Sequence, residues 1–149
     1  MNARTVTVHT ETPDDETVVA TVTVAAGRER VFAAFTDPAE LAAWFWPRRF
    51  DTSYRLDVRE GGEFHVRSDV MDLGVRGRYL DVLPPSRLAM TWRWDGEDEQ
   101  SHVLIELTVL AGAGTLVTVT HSANPTVEAR DAHAQGWRDC LGRLAEPAQ

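Results

Sequence analysis

Between Ser53 and Ser122 the chain runs through six β-rich segments with no link long enough to hold a crossover helix. They are Ser53 to Val58, Glu63 to Arg67, Gly74 to Val82, Arg87 to Trp94, His102 to Leu110 and Thr115 to His121. Their separators include Glu60-Gly61-Gly62, Pro84-Pro85-Ser86, Asp95-Gly96-Glu97-Asp98 and Ala111-Gly112-Ala113-Gly114, which supply the positive or fixed φ that a reversing chain needs. A parallel pair would require a connection of about a dozen residues or more, so successive segments are expected to pair antiparallel as a meander. Ser68 to Leu73 reads as a loop.

What flanks the meander follows from periodicity and caps. From Thr17 to Val24, Val18, Ala20, Val22 and Val24 alternate with Val19, Thr21 and Thr23, the period of a half-buried strand. Arg28 to Thr36 places Val31, Phe32 and Phe35 on one face of a short helix. Asp37-Pro38-Ala39-Glu40 then opens a second: Asp37 can accept from the Glu40 amide, Pro38 suits the first helical position and Glu40 can reach back. That helix carries Leu41 and Trp44 and stops at Trp46-Pro47, because the residue before proline is pushed out of the α region. Asn124-Pro125 offers an N-cap and first residue for a long closing helix, with Val127, Trp137, Cys140, Leu141 and Leu144 as its apolar stripe. Gly136, weak inside a helix, is read as close backbone approach, room for a ligand, or a tolerated weak position. Residues 1–16 read as a loose arm, with Thr5-Val6-Thr7-Val8 able to form a short strand, and residues 17–146 as a single α+β domain.

Composition narrows the function classes. A length of 149 residues fits one domain. A formal charge of -8, with every basic side chain an arginine and none in a long run, excludes the footprint of a nucleic-acid binder. Cys140 is the single cysteine, so no intramolecular disulfide forms, and its apolar setting makes it a small core residue rather than a nucleophile. No apolar run spans a bilayer and none resembles a signal peptide, which points to a cytoplasmic protein without membrane insertion.

Several local patterns follow one another in a specific order: Arg30-Val31-Phe32-Ala33-Ala34-Phe35-Thr36-Asp37-Pro38, Leu41 and Trp44, Glu60-Gly61-Gly62, and Asp81-Val82-Leu83-Pro84-Pro85 with Leu88 and Thr91-Trp92. Thr118-Val119-Thr120-His121-Ser122 and Gly136-Trp137 with Leu141 and Leu144 complete the series. In this order the chain resembles the SRPBCC or START-like superfamily, and within it the activator of heat shock protein 90 ATPase homologue-like domains. The resemblance implies a helix-grip fold like that of birch pollen allergen, in which a curved antiparallel sheet of about seven strands grips the C-terminal helix over a deep apolar pocket. It implies no particular reaction, since such domains include lipid and polyketide binders, aromatase/cyclases and co-chaperone modules.

On that fold Phe32, Phe35, Trp44, Phe64, Met90, Trp92, Trp94 and Trp137 converge on one volume, joined by Leu141 of the closing helix. Met90, Trp92 and Trp94 share a strand face, so they look inward together, or outward as a homodimer interface. Tyr79 is expected inside, with Arg76 and Arg78 outside. None of His9, His65, His102, His121 and His133 stands at a metal-ligand spacing, so no metal or other cofactor is expected. His121 shares a strand face with Val117 and Val119, and His133 lies four residues before Trp137, so both are candidate polar contacts in the pocket, His121 also reading as a hydrogen-bonded strand-end histidine. The leading expectation is an apolar or aromatic small molecule, such as a lipid, polyketide or related metabolite, bound without catalysis through Tyr79 and His121. The alternatives are a cyclase-like or hydrolytic enzyme with His121 or His133 as general base, and a stress-related co-chaperone module.

Overall fold

The computed structural model describes residues 6–146. Eight strands form one sheet: β1 (His9–Asp14), β2 (Thr17–Val24), β3 (Ser53–Leu56), β4 (Glu63–Ser68), β5 (Leu73–Leu83), β6 (Arg87–Trp94), β7 (Ser101–Val109) and β8 (Thr115–Ser122). Their spatial order is β1-β2-β8-β7-β6-β5-β4-β3, antiparallel at every step. Helices α1 (Arg28–Thr36) and α2 (Pro38–Ala42), with the 3-10 turn Arg48–Phe50, carry the chain to the far edge. From β3 the meander returns until β8 pairs with β2, and α3 (Val127–Ala145) closes the concave side. This is the helix-grip architecture, with one strand more than expected.

The extra strand is β1. His9–Asp14 lies within the segment expected to be loose, yet it pairs with β2 through His9↔Thr21, Thr10↔Ala20 and Glu11↔Val19. Its side chains are mostly exposed, so it shows no buried alternation, and Pro13 sits where the register shifts, as an edge strand tolerates. Residues 1–5, including Thr5 of the suggested Thr5-Val8 strand, lie outside the described residues, and Val6–Val8 has no regular structure.

The concave face is built from strand parity. A row of directly opposed residues, Val18, His121, Val103, Met90 and Tyr79, crosses five strands. The next row places Ala20 beside Val119, Ile105 and Leu88. All nine are buried, at 5% exposure or less. Tyr79 points in and Arg76 and Arg78 point out, as expected. Met90 and Trp92 are buried and Trp94 half-buried on the same inward face, so these residues do not present the outward surface that a dimer would need. At Gly77 a side chain would fall 1.9 Å from the Thr91 carbonyl oxygen and 2.6 Å from the Phe64 ring, so only glycine lets β5 and β6 approach there.

The helix caps are partly as read. Asp37 accepts from the amides of Ala39 and Glu40 at the start of α2. Glu40, however, reaches across to pair with Arg30 of α1 instead of folding back. The start of α3 also differs: its N-cap is Thr126, whose hydroxyl accepts from the Ala129 amide, while the side-chain oxygen of Asn124 accepts from His133 Nδ1–H instead. Ala134, Trp137, Cys140 and Leu141 form the buried stripe, while Val127, at the first turn, stays 40% exposed.

Candidate functional site

The space beneath α3 is nearly full. Six of the residues assigned to a pocket, Phe35, Phe64, Tyr79, Met90, Trp92 and Trp137, do converge there, together with Phe45, but the void they leave is about 40 Å3. Bulk water occupies ~30 Å3 per molecule, so this volume cannot hold a lipid or polyketide. The deep internal pocket expected from the sequence is therefore replaced by packed rings. Phe35 meets Trp44 edge-on at 4.9 Å, and Phe64 leans on Tyr79 at 5.5 Å and on Trp92 at 5.8 Å. Burial pushes the Tyr79 hydroxyl well above its ordinary range, so it stays protonated.

The remaining assigned residues scatter. Phe32 is partly buried against the core, Trp44 faces the groove among α1, α2 and the end of α3, and Leu141 is fully buried; none of the three borders the void. His121 and His133 stack on each other, centroids 4.0 Å apart.

A second, open cleft of about 210 Å3 lies on the other side of Phe45, Trp92 and Trp137, the three rings it shares with the void. One wall is the Phe45-Trp46 segment, another is Trp92 and Trp94 of β6, and the third is the face of α3 bearing His133, Gly136, Trp137 and Cys140. The first wall is tied to the helix: Arg143 donates from Nε to the Trp44 carbonyl at 2.9 Å, and the Cys140 thiol donates to the Phe45 carbonyl at 3.0 Å. Burial pushes the Cys140 thiol up to about 12, so it is an inert donor at neutral pH. The Trp46 and Trp94 rings lie within 8° of parallel, 6.3 Å between centroids. A Cβ at Gly136 would meet nothing within 4 Å outside its own stretch of helix, so this glycine leaves open space and does not serve a close backbone approach.

Cys140 enters the cleft although it reads as core, and Phe45 and Trp46 were missed. The three consecutive aromatics Trp44-Phe45-Trp46 were the available signal, obscured because the helix-stop reading absorbed them.

The histidine pair is locked by its neighbours. An indole N–H only donates. Trp137 Nε1 donates to His121 Nδ1 at 3.0 Å, which places the His121 proton on Nε2, where it meets Ser101 Oγ at 2.7 Å. Ser101 in turn donates to the Trp92 carbonyl at 3.3 Å. Trp94 Nε1 donates to His133 Nε2 at 2.8 Å, so His133 Nδ1 carries the proton given to Asn124 Oδ1. The Asn124 amide completes the chain by donating to the carbonyls of Glu16 and His121 at 2.8 and 3.0 Å. Both rings are neutral: burial, with His133 and His102 nearby, holds His121 well below the usual imidazole range, and burial lowers His133 to about 4. Neither ring offers a free lone pair to a substrate proton or a metal ion.

Larger depressions lie elsewhere. The one on the convex face, about 590 Å3, is lined by Arg55, His65, Arg76, Arg78 and Arg93. Arg55, His65, Arg76 and Arg93 stand in one cross-strand row. Asp95 sits between His65, Arg67 and Arg76; burial would raise its carboxyl, but hydrogen bonds from His65 and Arg76 outweigh this and bring it down to about 2. This surface is open and polar, without the ring walls of the cleft. No helix among the described residues is long and apolar enough to cross a membrane.

The fold is shared widely. Protein CV1439 from Chromobacterium violaceum is 26% identical with a TM-score of 0.73, over 89% of this chain and 99% of that one. DynU16, a protein of the dynemicin biosynthetic locus, is 28% identical with a TM-score of 0.77, over 89% of this chain and 46% of its own. An HSP90 activator from Plasmodium falciparum is 19% identical with a TM-score of 0.71, over 87% of this chain and 93% of that one, a likeness of fold. No curated protein matches the chain in sequence. The model of the family described as Activator of Hsp90 ATPase homolog 1-like protein matches residues 25–149, and with that span and this fold the chain belongs to that family.

Proposed function

We propose that this chain binds a small, flat, largely apolar molecule, without catalysis, and that it does so in the aromatic cleft beside Gly136 and not beneath the helix. The observation that carries the reading is the cleft itself: about 210 Å3, walled by Phe45, Trp46, Trp92, Trp94 and Trp137, and held open by a helix position without a side chain. Ordinary small-molecule pockets are ~300–1,000 Å3 and mostly apolar, so this one suits a compact ligand of about two or three fused rings better than a lipid chain. The likeness to DynU16 supports the reading by placing a relative in a biosynthetic locus. A general-base role for His121 or His133 finds no support, since every ring nitrogen of the pair is already engaged.

The test is a calorimetric titration with two- and three-ring aromatics alongside fatty acids, on the wild type and on Gly136→Leu. Saturable binding of the aromatics is expected, lost in the variant while its melting temperature holds. Silence across the panel, or equal binding by Gly136→Leu, overturns the assignment.

A further inference from the structure

The convex face carries a row of side chains that sheet stability alone does not account for. Arg55, His65, Arg76 and Arg93 stand directly opposite one another across β3, β4, β5 and β6, at the outward positions of strands whose alternate residues point to the core. Like charges opposed in this way destabilise a sheet, which is better served by opposite charges there. The neighbouring row follows that rule: Glu63 stands opposite Arg78, and the two side chains pair at 3.4 Å. Along the Arg55 row, Asp95 is the one carboxylate among the described residues that pairs with any member, and it is fully used. It meets His65 at 2.9 Å, Arg67 at 3.2 Å and Arg76 Nε at 2.8 Å. Gly74 makes room for it, since a Cβ at that position would fall 2.0 Å from the Asp95 carboxylate. Arg55 and Arg93 pair with no carboxylate among the described residues. The row thus has one anchored arginine in its middle and two unneutralised, exposed ones at its ends.

All four border the depression of about 590 Å3, in which Arg78 joins them and Glu63 and Asp98 are the carboxylates of the described lining. The chain as a whole carries -8, so this face reverses the sign of the molecule. We propose that it docks an acidic protein segment, extended across the strands, with carboxylates at alternate positions. Three strand spacings separate Arg55 from Arg93, ~14 Å at ~4.8 Å each. Alternate side chains of an extended chain project to one side every ~6.7 Å, so carboxylates at three alternate positions cover the same ~13–14 Å. A single phosphate is too short to engage both ends of that row. An open sheet face also does not wrap a small ligand, whereas small-molecule sites bury most of their ligand's surface. Single-stranded nucleic acid fits less well, because it is held by bases stacked on exposed rings, and Phe64, the phenyl ring of this lining, is 5% exposed. The docking face lies on the opposite side of the sheet from the aromatic cleft and does not depend on it.

The probes are a heptapeptide alternating Glu and Ser, an isomer of the same composition with its glutamates contiguous, tripolyphosphate, and a short oligothymidine. Affinities are measured by calorimetry at low ionic strength, with the arginine Nε–H peaks followed in ¹H–¹⁵N spectra. The alternating peptide should bind best, move the Arg55, Arg76 and Arg93 peaks together, and weaken as salt is raised. Arg55→Gln combined with Arg93→Gln should lower its affinity about tenfold, the order for two exposed ion pairs lost. The melting temperature of that variant should hold or rise, because opposed cations have been removed. Arg48→Gln, outside the depression, should bind like the wild type. Unchanged affinity in the double variant, movement confined to other arginines, or no saturable binding overturns the docking face. Equal or tighter binding of the contiguous isomer, of tripolyphosphate or of the oligonucleotide overturns the extended acidic segment as its occupant.

Discussion

His121 and His133 are imidazoles set among tryptophans, and their chemistry is decided by what those indoles can do. Because an indole N–H only donates, each histidine is held as a neutral tautomer whose proton points to a defined acceptor. Protonation would put a donor against a donor in both contacts. The consequence is a pH dependence with a definite sign. In the unfolded chain a histidine titrates near ~6.5. In the fold His133 is lowered to about 4 and His121 further below its ordinary value. Between those values the unfolded state binds more protons, so the stability the pair contributes is fully present above pH ~6.5 and is lost as pH falls through the folded values. For His133, discounted for partial exposure, the loss is on the order of 2 kcal/mol. Urea unfolding followed from pH 7 to 4.5 should show it, and His133→Gln should flatten the slope. An undiminished slope in the variant would assign the effect elsewhere. Asp95, lowered to about 2, has its own window: its contribution is present above ~3.8 and lost only in stronger acid.

At the scale of the elements, α3 shows how a tertiary bond overrides a local signal. Asn124-Pro125 has the better start chemistry in isolation, yet Thr126 caps the helix and Asn124, 2% exposed, is drawn into the histidine network. Asn124 thereby joins the β1-β2 turn, the end of β8 and the first turns of α3 through Glu16, His121 and His133. The two residues should respond differently to truncation. Thr126→Ala removes one exposed cap bond and should cost ~1 kcal/mol. Asn124→Ala removes the side-chain donor to the His121 carbonyl, leaves the Glu16 carbonyl only its bond from the residue-124 backbone amide, and strands the His133 Nδ1–H in a buried place, so it should cost roughly 2–3 kcal/mol. Chemical denaturation measures both, and a larger loss in Thr126→Ala would return the cap to Thr126 alone as the determinant of this junction. Gly136 belongs to the same helix. With nothing outside its own stretch of helix within 4 Å of an added Cβ, Gly136→Ala should stabilise by up to ~1 kcal/mol, the helix-propensity difference uncompensated by any clash.

For the molecule as a whole, what could be read from the residues was the part governed by local rules. Alternation located β2 and the meander, turn chemistry set their order, and Asp37 announced α2. β1 was invisible because an exposed edge strand with Thr12, Pro13 and Asp14 has no buried face to betray it. The site was legible only as an inventory of rings. Whether rings prop a space open or fill it depends on rotamers fixed by partners far along the chain, as with Trp94 and His133, 39 residues apart. Hence the aromatic set was identified while the void beneath it came out at about 40 Å3 and the usable space at about 210 Å3 outside it. The two spaces are separated by Phe45, Trp92 and Trp137, and of these Phe45 makes its hydrogen bonds through its backbone alone: its amide donates to the Leu41 carbonyl, and its carbonyl accepts from Cys140 and Arg143. Its side chain can therefore be trimmed without breaking the clamp. Phe45→Leu should cost on the order of 1–2 kcal/mol, as a partial loss of buried ring volume does. It should also join void and cleft, so that a four-ring probe such as pyrene gains affinity at least tenfold over the wild type. Pyrene's vibronic intensity ratio reports entry into an apolar setting, and its titration against both proteins gives the comparison. If the wild type takes pyrene as tightly as the variant, Phe45 is not the partition that limits ligand size.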